Sequence, residues 1–69
     1  MVEVFKTNVQ GCEESKQLIR KLLEHFPYCI INFDLEDCDR ILRIEGSSFS
    51  NALIISLLGA SGYECEALV

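Results

Sequence analysis

The segment VEVFKTNVQGCEESKQLIRKLLEHFP, residues 2–27, changes its apolar period part-way along. VEVFKTNV is rich in β-branched and aromatic side chains and runs into a glycine-containing turn, as a short strand does. From Glu13 onward the apolar residues recur at helical spacing: Leu18, Ile19, Leu22, Leu23 and Phe26. Glu13 and Glu14 fall in the first turn, where the helix dipole favours acid. Arg20, Lys21 and His25 fall towards the end, and Pro27 stops the helix.

Reading outward from this strand–helix junction, YCIINFDL (residues 28–35) returns to a period of two. Cys29, Ile31, Phe33 and Leu35 alternate with Ile30, Asn32 and Asp34. EDCD is a polar turn and RILRIEG a second strand, so the two strands are expected to pair as a hairpin. Ser47 and Ser48 are candidate N-caps for a second helix over roughly residues 49–59, which Gly59 or Gly62 ends. YECEAL is a short closing strand. The order β-α-β-β-α-β predicts a ferredoxin-like α+β sandwich, with two helices on one face of a four-stranded antiparallel sheet.

The chain has 69 residues, which allows one domain, 1–69. A domain this short buries only about 60% of its unfolded surface and needs a dense core. Apolar residues make up 49% of the chain, which supplies one. The net charge is −5 and no Lys/Arg run is present, which disfavours nucleic-acid backbones and anionic membranes as partners. ALIISLLGA, the longest apolar stretch, is far short of the roughly 20 residues that span a bilayer. MVEVFK has no basic segment followed by an apolar run, so no secretory leader is expected. The four cysteines are therefore expected as thiols in a reducing, cytoplasmic setting.

With this element order, and with NVQGC between the first strand and the first helix, the chain resembles the heavy-metal-associated domain family of copper-chaperone-like modules. The likeness runs through Ile19, Leu23 and Phe26, the strands CIINFDL and ILRI, and the late Gly62–Tyr63 pair. It covers nearly the whole chain. The family's ligand motif is Met, one residue, then Cys-x-x-Cys, and that motif is not intact here. In one register Cys12 takes the first ligand position and Ser15 the second, and Ile19 and Leu23 point to the core. In the other, Val9 takes the Met position, Gly11 and Glu14 replace the cysteines, and Leu18 and Leu22 are core. Both stay open on the sequence, with preference to the first.

The chemistry explains why the loss matters. Cu(I) is soft and two thiolates suffice to hold it. A helix N-terminus lowers a thiol's pKa. One thiolate with one hydroxyl is a poor substitute, and Glu13 and Glu14 beside Cys12 oppose the thiolate. Cys12 is nevertheless the one candidate metal ligand, for Cu(I) or less favourably Zn(II), and a second copy of the chain is one way to complete it. The plainer alternative is a turn cysteine in a chain that has lost its metal site.

Other residues invite plain readings. Cys29 and Cys65 read as strand residues packed as small hydrophobes. Cys38, in the hairpin turn, is expected exposed and at the far end of a strand from Cys12. His25 reads as a partner of the helix dipole, and Glu13/Glu14 and Asp37/Asp39 as solvated acids. Tyr63 stands where the resembled family has an aromatic near its metal loop. No nucleophile–base set, phosphate loop or carboxylate cleft is visible, so no enzyme is expected.

The second helix is unusual because no charged residue lies between Phe49 and Gly62. Phe49, Ala52, Leu53, Ser56 and Leu57 would form its apolar face, with Ile54, Ile55 and Leu58 extending it. Two functions follow as expectations. One is weak chaperone-like Cu(I) or Zn(II) handling through Cys12. The other is a metal-independent protein-interaction or homodimerisation module.

Overall fold

The computed structural model describes residues 1–36 and 38–68. Its elements are β1 (Val2–Thr7), α1 (Cys12–His25), β2 (Ile30–Asp34), β3 (Ile41–Glu45), α2 (Asn51–Ala60) and β4 (Cys65–Leu68). The strands form one antiparallel sheet in the order β2-β3-β1-β4. β1 and β2 are therefore parallel with β3 between them, and β3 and β4 are parallel around β1. Each βαβ unit is split by a strand of the other, which is the ferredoxin-like α+β arrangement.

Strand register decides which side chains meet the helices. Phe5 stands opposite Leu42 on one side and Ala67 on the other. Ile31 faces Ile44, and Phe33 faces Leu42. By alternation these residues share one face, while Val4, Lys6, Asn32, Arg43 and Glu66 lie on the other. The core joins Phe5, Val9, Ile31, Leu42 and Ile44 to Leu18 and Leu22 of α1 and to Ile54 and Leu58 of α2. Burying one such side chain contributes about 1.5–3 kcal/mol.

α1 ends as expected. Phe26 caps it, its N–H donating to Leu22 O at 2.8 Å, and Pro27 cannot continue the ladder. The Phe26 ring meets Phe49 edge-on, with centroids 6.5 Å apart. His25 is in the last turn. There a basic side chain complements the helix dipole.

α2 departs from expectation at its start. Neither Ser47 nor Ser48 caps it; Ser50 does, its hydroxyl accepting the Leu53 N–H at 3.3 Å. The buried face also differs. Ile54 and Leu58 are fully buried, whereas Ala52, Leu53 and Ser56 are exposed. With no charge on the helix, no polar side announced which stripe faces solvent. At the other end Gly62 has φ +91°. Its N–H donates to Gly59 O, and the next N–H, of Tyr63, donates to Leu58 O, both at 3.0 Å. This is a Schellman termination, and it needs the left-handed conformation that glycine adopts without strain.

The β2–β3 turn corrects a second expectation. The Thr7 N–H donates to Asp39 O at 3.1 Å, and the Thr7 hydroxyl donates to Arg40 O. Arg40 Nη1 donates to Leu35 O at 2.9 Å and to Gln10 O at 3.5 Å. The hairpin tip is thus tied to the end of β1 and the loop before α1. Cys38 belongs to the same end of the sheet as Cys12, because antiparallel pairing sets the start of β3 beside the end of β1. Asp37 lies outside the described residues. No helix among the described residues is long and apolar enough to cross a membrane.

Candidate functional site

The loop from Asn8 to Gly11 carries the chain from β1 into α1. Val9 is fully buried, and its N–H donates to Thr7 Oγ1 at 3.3 Å. Asn8 Oδ1 accepts the Glu64 N–H at 2.8 Å, which fastens the loop to the approach to β4. Gly11 is the N-cap, in an extended conformation with φ −111° and ψ 154°, and it offers no side chain to the free helix N–H groups.

Cys12 is the first helical residue and is exposed. Ser15 is buried, and its hydroxyl donates to Cys12 O at 2.7 Å. The pair named as ligand positions in the favoured register therefore does not share one exposed surface. The face of α1 is also the other of the two considered. Ser15, Leu18 and Leu22 are buried, while Leu23 is 36% exposed. Ile19 packs at the margin of the core rather than in it. The preference for an Ile19/Leu23 core face is overturned by the burial of Leu18 and Leu22, which pack with Val9 in the core.

Glu14 replaces Ser15 as the residue with a tertiary partner. Tyr63 Oη donates to Glu14 Oε2 at 2.7 Å. The other oxygen, Oε1, would be 2.8 Å from a Cβ built on Gly11, so this carboxylate occupies the space beside the N-cap. The hydrogen bond to Glu14 holds the Tyr63 phenol above its ordinary range, with lesser contributions from burial and from the carboxylate's charge. About two helical turns further on, Lys21 Nζ donates to Ser61 Oγ at 2.9 Å. The Ser61–Tyr63 turn is thus clasped to α1 at two points. The residues involved are 40 and 49 positions apart in the chain, and no local signal connects them.

The remaining thiols are separate from this clasp. Cys29 packs against Gly46, its sulfur 2.6 Å from where a Cβ would stand there. Cys65 is half-buried opposite Thr7, and burial pushes its thiol up to about 11. Cys38 is exposed in the hairpin turn. Among the described residues no three His, Cys, Asp or Glu side chains converge as a metal-holding group. No family model matches the chain, and no curated protein or solved structure does so either.

Proposed function

We propose that the chain is a metal-independent protein-interaction module, with the exposed side of α2 as its contact surface and a second copy of the chain as the first partner to test. The observation that carries this reading is the chemistry of α2. Leu53 and Ile55 are 40% and 36% exposed, Ala52, Ser56 and Ala60 are exposed beside them, and the helix has no charged residue. The net charge of −5 is therefore carried elsewhere, and two copies can meet along α2 without opposing like charges. The same negative charge makes a protein a better partner than nucleic acid. Four free thiols fit a reducing, cytoplasmic setting.

The start of α1 supports the same reading. If the heavy-metal-associated resemblance holds, the buried face of α1 selects the register in which Gly11 and Glu14 stand at the ligand positions. A glycine has no donor, and the carboxylate of Glu14 is held by Tyr63. The competing reading, weak Cu(I) or Zn(II) handling, rests on one observation: Cys12 is an exposed thiol in the first turn of α1.

Sedimentation equilibrium over a wide concentration range, under reducing conditions with a chelator, tests the first reading. Dimerisation that persists with the chelator and disappears in Leu53→Lys/Ile55→Lys supports it; a monomer at every concentration removes it. A Cu(I) titration against a competing chelator, comparing wild type with Cys12→Ser, tests the second. Stoichiometric uptake lost in the variant would reinstate metal handling.

A further inference from the structure

The clasp between α1 and the Ser61–Tyr63 turn frames a half-open recess of about 320 Å³. Its lining comes from Glu14, Gln17, Leu18 and Lys21 of α1 and from Ser61 and Tyr63. The four helical positions follow i, i+3, i+4 and i+7, so they form one stripe along α1. Leu18, only 4% exposed, is the apolar floor. A carboxylate stands at one end of the stripe and an ammonium at the other, with the Gln17 amide between them. Seven residues of helix separate the two charges, a rise of about 10 Å.

Neither charged group is exhausted by its bond across the recess. Among the described residues the Glu14 carboxylate accepts from Tyr63 alone, and a carboxylate has about four acceptor sites. The Lys21 ammonium donates to Ser61 and to no other side chain among them, with about three protons to give. Opposite charges over an apolar floor in a volume at the lower end of ligand-site sizes form a dipolar slot.

We infer that this recess binds a small linear zwitterion, with an amine or guanidinium seated on Glu14 and a carboxylate on Lys21. A simple cation or anion satisfies only one end. An α-amino acid with a neutral side chain carries both charged groups on one carbon and cannot reach both ends. A basic amino acid or a short peptide can. The site is separate from the exposed side of α2 and does not depend on it.

The probe is ε-aminocaproate, which has the two ends and no α-amino group, with caproate and hexylamine as single-ended controls. Amide chemical shifts of the full chain are followed during each titration. The expected result is a response confined to residues 14–21 and 61–63, with a dissociation constant on the order of millimolar, as suits so few contacting atoms. Binding should be about tenfold weaker for either single-ended control and in each of Glu14→Gln and Lys21→Gln, the loss of one charge-assisted hydrogen bond. Titrating lysine and glycylglycyl-lysine then separates a free amino acid from a peptide as the source of the same chemistry. No response to ε-aminocaproate, an equal response to caproate and hexylamine, or unchanged binding in both folded variants would overturn the assignment.

Discussion

Leu22 and Leu23 are adjacent, chemically identical and oppositely placed. Leu22 is 1% exposed and Leu23 is 36% exposed. Leu22→Ala should cost about 2–5 kcal/mol, since a buried leucine loses both transfer energy and packing. Leu23→Ala should cost well under half as much. Urea unfolding of the two variants measures this difference directly, and equal costs would mean that α1 is turned about its axis relative to the fold described. Glu14 and Tyr63 offer a second test at this scale. In a Tyr28→Phe background, ultraviolet titration reports Tyr63 alone. Glu14→Gln should bring its phenol down towards the ordinary value of 10.0, because the hydrogen bond that favours the neutral phenol is weakened and the carboxylate's charge is gone. A titration unchanged by the substitution would show that the two groups are not bonded in solution.

At the scale of the element, the two helices are specified in different ways. α1 has acid in its first turn, His25 in its last and a proline just beyond, so its position follows from local chemistry. α2 has no charge to orient it and three serines near its start. Only Ser50 accepts a helical N–H, from Leu53. Ser50→Ala should cost about 1 kcal/mol, whereas Ser47→Ala and Ser48→Ala should change stability by less than about 0.5 kcal/mol. Thermal unfolding of the three variants ranks them. A larger loss at Ser47 or Ser48 would place the helix start earlier. The C-terminal end of α2 was more legible, because Gly62, one of the two glycines expected to end the helix, adopts the left-handed conformation that terminates it. What followed from it was hidden: the Schellman turn delivers Tyr63 to Glu14 across the gap between the helices.

For the molecule as a whole, the Thr7 side chain is the joint between the hairpin tip and the loop before α1. Its hydroxyl donates to Arg40 O and accepts from Val9 N. Thr7→Val conserves shape but leaves both groups without that partner, so it should cost about 1–3 kcal/mol. Amide hydrogen exchange should show faster opening at Val9. Unchanged exchange would mean that the loop is held by packing alone. The same joint explains why Cys12 and Cys38 share one end of the sheet, a relation set by strand pairing rather than by chain distance.

The sequence by itself determined the element order and the split βαβ topology, because period-two and helical spacing alternate cleanly and each change is marked by Gly, Pro or Ser. It also determined the burial alternation of β2, where the polar residues Asn32 and Asp34 leave one choice of face. Where two apolar stripes competed, as Leu18/Leu22 against Ile19/Leu23 and Ile54/Leu58 against Leu53/Leu57, only the tertiary structure decided. Local propensity cannot distinguish two stripes of equal hydrophobicity. The choice falls to tertiary contacts: the core that Leu18 and Leu22 share with Phe5, Leu42 and Ile44 for α1, and the Phe26–Phe49 and Tyr63–Glu14 contacts for the seating of α2.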